Sequence, residues 1–326
     1  MQFQKGIFVN YSKPAAHLPR HRPGAEQAYH LCQLDIILNR TDARLELFAN
    51  KLEQEAFQKS GFEFVEMCRF FAHFCLFLQL IDIPTPPSHT QKILETYLRV
   101  LEDAEQRQLI AMYAGALGDN AVVRYAWFLV SLGLSADISE RRLALSQASE
   151  HGLDTYRVAI VTAERTIESA FQTLPQIKGG LPSIVTLPQP LSEEELFLLR
   201  SIEWTTFSEE TYQTALEQTN VILRYFLGVG RIQAAVSLLD MLPSGLADIA
   251  EPEDKATEYL HYRQFFVIWE TLERVVEQHA QHVPEMGKNE KAQWLNRYMV
   301  SSKFSHPNCT NKVLSRTRSI KLTREQ

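Results

Sequence analysis

Three side chains in one apolar stretch, Cys68, His73 and Cys75, are of the types that bind zinc. Steps of five and two residues would point them in widely different directions around a helix, and phenylalanines lie between them. Cysteine and phenylalanine are among the residues most often buried in protein interiors. The pattern therefore favours packed core residues over a shared metal site.

Other groups that could do chemistry have simpler interpretations. His279 and His282 share a helix face without a third ligand, which favours surface histidines. The carboxylates of residues 193–195 would meet the positive end of a helix dipole in a first turn. Gly228 and Gly230 lack the third glycine and the strand of a dinucleotide fingerprint, and they predict a turn. No catalytic residue, metal site or cofactor is predicted, and we expect no enzyme.

Composition indicates a folded protein in a reducing compartment. Hydrophobic residues make up 45% and charged residues 22% of 326 residues, and the net charge of −6 gives no general attraction to nucleic acid. The four cysteines form no CxxC pair. No signal peptide is predicted, and the apolar run 70–81 is shorter than the roughly 20 residues of a membrane span.

The dominant pattern is helical. From residue 25 to 282 apolar residues recur at spacings of three and four, divided by short turns. This predicts an all-α fold, an irregular α-helical solenoid of stacked antiparallel helix pairs. The Pro/Gly-rich stretch 173–191 is interpreted as a crossover loop, although a domain boundary there remains an alternative. Residues 1–24 are expected to be flexible, and 283–326 to be a weakly structured or disordered basic tail.

Capping signals set the expected helix ends. Ser88 with Gln91, and Ser192 with Glu195, have the spacing of capping boxes that open helices. Gly152 stands where a left-handed residue ends a helix.

The last strong helix, from Asp254 to about His282, carries unusually many apolar residues. They span roughly 200° of its circumference, about twice the stripe that a surface helix buries against its own core. We interpret the surplus as a partner-binding surface, because aromatic residues are favoured at binding hot spots. The alternative is that residues 284–300 fold back over it. The predicted partner-binding residues are Tyr259, Tyr262, Phe265, Phe266, Trp269, Leu272 and Val276, and Ile268 and Val275 fill out the same face.

Several stretches in order resemble the C-terminal half of the nucleoporin 84/107 family, closest to its fungal members. The likeness covers about residues 60 to 282. The stretches are RFFAHFCLFL at 69–78, ILETYLRVL at 93–101, LIAMYAGAL at 109–117, YAWFL at 125–129, IEWTTF at 202–207 and ALEQTNVILRYFL at 215–227.

This resemblance implies a structural scaffold of the Y-shaped outer-ring complex of the nuclear pore, at the nuclear envelope, supporting nucleocytoplasmic transport of protein and mRNA. In that family the C-terminal helices dock with the C-terminal helical domain of nucleoporin 133, and the equivalent here is the helix from Asp254. The contact with the nucleoporin 145C/96 class uses an N-terminal half that this chain mostly lacks, which leaves that contact in doubt. No direct nucleic-acid contact and no transmembrane segment are expected. The alternative is a vesicle-coat or cargo-adaptor solenoid, since such helical stacks have similar sequence patterns.

Overall fold

The computed structural model describes residues 23–53, 62–177, 190–280 and Gln293, and in this part of the chain every regular element is a helix. Thirteen α-helices follow one another, with single 3-10 turns at 118–120, 209–211 and 244–248. They are α1 Pro23–Ile37, α2 Thr41–Glu53, α3 Phe62–Leu80, α4 Pro87–Asp103, α5 Arg107–Gly115, α6 Ala121–Ser131, α7 Ile138–Glu150, α8 Thr155–Thr173, α9 Glu193–Ser201, α10 Glu203–Thr206, α11 Tyr212–Gly228, α12 Ile232–Met241 and α13 Glu253–Ala280.

The chain divides into two compact units, Met1–Arg124 and Tyr125–Gln326, and the boundary falls inside α6. In the first unit α4 packs against α2, α3 and α5. Its core includes a stacked pair of rings, Phe48 and Phe71, with centroids 3.9 Å apart. The helices are therefore held together by apolar side chains that recur at the predicted spacings.

In the second unit α8 packs against α7, α9 and α10, and α11 packs against α12 and α13. A large apolar cluster joins α8, α9, α11 and α12, with Leu198, Ile222, Phe226 and Leu238 fully buried. Within each unit some helices that are neighbours in sequence pair across short turns, as α4 does with α5 and α11 with α12. This confirms the all-α, solenoid-type fold class. The predicted crossover loop 173–191 and basic tail 283–326 lie largely outside the described residues.

The capping predictions have mixed outcomes. Ser192 and Glu195 form the predicted capping box at the start of α9, and Gly152 has the left-handed φ of +76° after α7. The prediction at Ser88 is wrong, because α4 already begins at Pro87, where the proline ring fixes a helical φ. Pro86 at the N-cap has no side chain to accept a hydrogen bond.

Two ion pairs, each with one buried partner, connect segments that are distant in sequence. Arg141 of α7 is only 2% exposed; it pairs with Glu203 and donates to the carbonyl of Ala136 at 3.1 Å. Glu195 of α9 accepts hydrogen bonds from Arg231, at 2.5 Å to Nε. Breaking such a pair leaves a buried charge, so both carboxylates serve the fold.

Three cysteines in the described residues, Cys32, Cys68 and Cys75, are buried free thiols. Burial raises the pKa of Cys68 and of Cys75 to about 12, because an apolar surrounding disfavours the thiolate. Burial likewise raises the pKa of Cys32. The thiolate is the reactive form, so these groups are inert while the protein is folded.

We therefore expect slow thiol labelling of the native protein. In a Cys309→Ser variant that is folded in buffer, Ellman's reagent at about pH 8 should react only slowly with the remaining thiols. It should react with all three described thiols once urea unfolds the chain. Rapid stoichiometric reaction in the folded state would contradict the burial described for these cysteines.

Candidate partner interface on the last helix

The candidate site is built on α13, the longest described helix. Its first turn carries Glu253 and Asp254, whose negative charges are favourable at a helix N-terminus. The helix has 28 residues, against 17 in α11, on which it packs. At about 1.5 Å per residue it is some 16 Å longer than α11. Length alone therefore leaves part of α13 beyond its main neighbour.

The first half of α13 is anchored by apolar contacts. Tyr259 is 2% exposed and packs in a cluster with Ala215, Leu216 and Leu246. Phe266 is 9% exposed and belongs to the large cluster of the second unit. Tyr262 packs half-buried against that cluster. These three aromatic side chains hold the helix to the protein's own core.

Polar contacts reinforce the same half. The amide of Asn220 donates to the carbonyl of Lys255 at 2.8 Å, and Arg224 pairs with Glu258 at 3.2 Å. The hydroxyl of Tyr262 donates to Glu258 at 2.9 Å. Burial, followed by this contact with Glu258, raises the pKa of Tyr262 to about 12, so the phenol remains a hydrogen-bond donor at neutral pH.

Beyond Phe266 the side chains of α13 that the structure describes are no longer buried. Between residues 267 and 280, no side chain that the structure describes is buried. Ile268 is 53% and Leu272 52% exposed, and Phe265, one turn before, is 39% exposed. Positions three and four apart lie on the same side of a helix, so these three side chains form one continuous apolar strip.

Trp269 borders this strip and is half-buried. Its ring lies 6.1 Å from that of Phe265, and its indole Nε1 donates to the carboxylate of Glu273 at 2.7 Å. We call the set Phe265, Ile268, Trp269 and Leu272 the α13 stripe. Phe265 also meets Phe266 edge to face at 5.1 Å, which connects the stripe to the buried anchor.

The structure separates the predicted partner-binding residues into two groups. Tyr259, Phe266 and, in part, Tyr262 contact the protein's own core, whereas Phe265 and Leu272 are exposed and Trp269 is half-buried. Val276 lies in α13, but its side chain falls outside the described residues. Sequence reasoning missed Glu273, although a carboxylate four residues after a tryptophan is a recognisable helix pair.

The residues considered for chemistry are not brought together. Cys68 and Cys75 are buried as predicted, but His73 is exposed and faces Tyr113 at 5.9 Å between ring centroids, so its placement in the core is wrong. Although the side chain is exposed, partial desolvation of its ring beside Tyr97 and Tyr113, followed by the charge of Arg69, lowers the pKa of His73. His279 and His282 fall outside the side chains described. The described residues contain no His, Cys, Asp or Glu cluster that could hold a metal.

Among the described helices, none combines the length and the apolar character that a bilayer span requires.

Comparisons with known proteins agree on one family. A family model described as Nuclear pore protein 84 / 107 matches residues 15–316. Nuclear pore complex protein Nup107 of Mus musculus is 25% identical over 269 residues, covering 76% of this chain and 27% of the relative. The Homo sapiens protein of that name is 26% identical over 280 residues, covering 80% of this chain and 28% of the relative.

A fungal relative is similar to a comparable degree. Nucleoporin nup107 of Schizosaccharomyces pombe is 23% identical over 224 residues, covering 64% of this chain and 27% of the relative. Its identity is no higher than that of the animal proteins, so these comparisons do not single out the fungal members. The chain spans less than a third of the length of each of these relatives.

The two groups of aromatic and apolar residues should respond differently to truncation. Phe266→Ala should lower the free energy of unfolding by about 3 kcal/mol, because it removes a ring from the core. Leu272→Ala should change it by no more than about 0.5 kcal/mol, because that side chain contacts little of its own chain. Urea denaturation of the isolated protein measures both. Equal losses for the two variants would mean that Leu272 is covered within the same molecule.

Proposed function

The chain belongs to the nuclear pore protein 84 / 107 family, and on that premise we propose that it is a scaffold nucleoporin that works by binding another helical nucleoporin through α13. Its place is the nuclear pore in the nuclear envelope, as for the Nup107 proteins that it resembles. The scaffold would support transport of protein and mRNA between nucleus and cytoplasm. It acts by association and requires no catalysis.

The single observation behind this proposal is the α13 stripe. The anchored half of α13 holds the helix in one position, so the exposed side chains of Phe265, Ile268 and Leu272 form a pre-formed surface. A rigid surface loses little conformational entropy when it binds. Exposed, contiguous apolar side chains of this kind are typical of protein-interaction sites.

The occupant we propose is the C-terminal helical domain of nucleoporin 133. An apolar strip along one helix is complementary to an amphipathic helix, whose own strip can pack alongside it. Such a contact needs no groove, because side-chain ridges of one helix fit between those of the other. The resemblance to the 84/107 family, whose C-terminal helices dock with that domain, supports this choice of partner.

Burial of apolar area would supply the affinity. Each Å² removed from water contributes about 25 cal/mol of gross stabilisation, from which the entropic costs of association are subtracted. Large aromatic side chains supply the most area for each residue fixed, and Trp269 and Phe265 stand next to each other in the stripe. These two are therefore the proposed centre of the interface.

The family match favours this function over the vesicle-coat alternative, since the matched model and the relatives named above are all nuclear pore proteins. An enzymatic function has no support from the described residues, in which the buried carboxylate at 195 and the partly buried one at 203 are paired with arginines. The scaffold function therefore remains the proposal.

We expect the double variant Phe265→Ala/Leu272→Ala to weaken binding to the nucleoporin 133 C-terminal domain by about 2 kcal/mol or more. This corresponds to a rise in Kd of roughly 30-fold. Both side chains are exposed, so the fold should be preserved. Isothermal titration calorimetry with the purified proteins measures the change.

The matched control is Leu143→Ala, which removes a 56% exposed leucine from α7. It should bind like the unchanged chain. If the double variant also keeps its affinity, the α13 stripe is not the docking surface.

A further inference from the structure

We infer that the partner of the α13 stripe places a basic side chain, best met by arginine, against the carboxylate of Glu273. This inference rests on the proposed function, because it specifies the chemistry of the surface that covers the stripe. Its starting point is the hydrogen bond of 2.7 Å from the indole Nε1 of Trp269 to Glu273. That bond fixes a negative charge at the edge of an apolar interface.

The carboxylate of Glu273 has no counter-charge in the described part of the chain. Its one hydrogen-bond partner there is the neutral indole of Trp269. The adjacent cation, Arg274, instead pairs with Glu270 at 3.8 Å, one turn earlier on the helix. Successive helix residues point about 100° apart, so Arg274 extends away from the side that carries Trp269.

Docking on the stripe would change the surroundings of this carboxylate. In the isolated chain Glu273 is exposed, and water stabilises its charge. A partner that covers Phe265 and Leu272 would also cover the adjoining indole of Trp269 and remove water from the group bound to it. An ionised carboxylate that loses its water is strongly unfavourable unless a positive charge and hydrogen bonds replace that water.

Arginine meets this requirement best. Its planar guanidinium can donate two parallel hydrogen bonds to one carboxylate. The same plane can stack on the face of the Trp269 ring, because the ring's electron-rich face attracts cations. A single arginine on the partner would therefore neutralise Glu273 and, at the same time, cover the indole of Trp269. The partner helix is thus expected to be amphipathic, with a basic residue at the edge of its apolar strip.

Glu273→Gln tests this inference. Glutamine keeps an oxygen that can accept the indole hydrogen bond but removes the negative charge. The matched control is Glu270→Gln, which removes the same charge three residues away, at an exposed position already paired with Arg274. Both variants should keep the thermal stability of the unchanged chain. Association and dissociation rates with the nucleoporin 133 C-terminal domain are measured by biolayer interferometry.

The expected result is a rise in the dissociation rate of roughly tenfold or more for Glu273→Gln, because loss of a desolvated charge pair shortens the life of a complex. Glu270→Gln should change that rate by less than about twofold, as expected for a charge at the rim. Equal effects of the two variants, or no effect on dissociation, would overturn the inference. The variant Phe265→Ala/Leu272→Ala separates the two proposals, because its unimpaired binding would reject docking on the stripe itself.

Discussion

The interaction on which the rest depends is the packing of the first half of α13 against the core of the second unit. Tyr259 and Phe266 enter two apolar clusters, while Asn220 and Arg224 of α11 bind Lys255 and Glu258. Because α13 is longer than α11, this attachment ends near Phe266 and the helix continues without buried side chains among those described. The anchored first half holds α13 in place, and the exposed part that follows can therefore act as a rigid binding surface.

Anchor and proposed interface are neighbours in sequence and share contacts. Phe265 and Phe266 meet edge to face, with one ring exposed and the other buried. A change at Phe266 would therefore act on binding through the fold, whereas a change at Phe265 would act on the contact surface directly. For a scaffold protein this coupling is useful, because the angle at which a partner is held is set by the core.

Much of the fold could be predicted from the sequence, because helix periodicity, the Ser192 cap and the Gly152 turn are local signals. Ser88 failed as a cap because the prolines before it start the helix earlier. The pair of Arg141 with Glu203 joins residues 62 apart, which no local pattern reveals. For the site, periodicity located the apolar face of α13 but could not show which of its residues are buried and which are exposed. Which part is buried depends on how far α11 extends beside it.

We propose that the α13 stripe is uncovered in the isolated chain and covered in the complex. Hydroxyl-radical footprinting with mass spectrometry measures this for each side chain. The predicted result is ready oxidation of Phe265, Ile268 and Leu272 in the isolated protein, strong protection with the nucleoporin 133 C-terminal domain, and little oxidation of Tyr259 and Phe266 in either state. Protection of the stripe in the isolated chain, or no change on adding that domain, would contradict the claim.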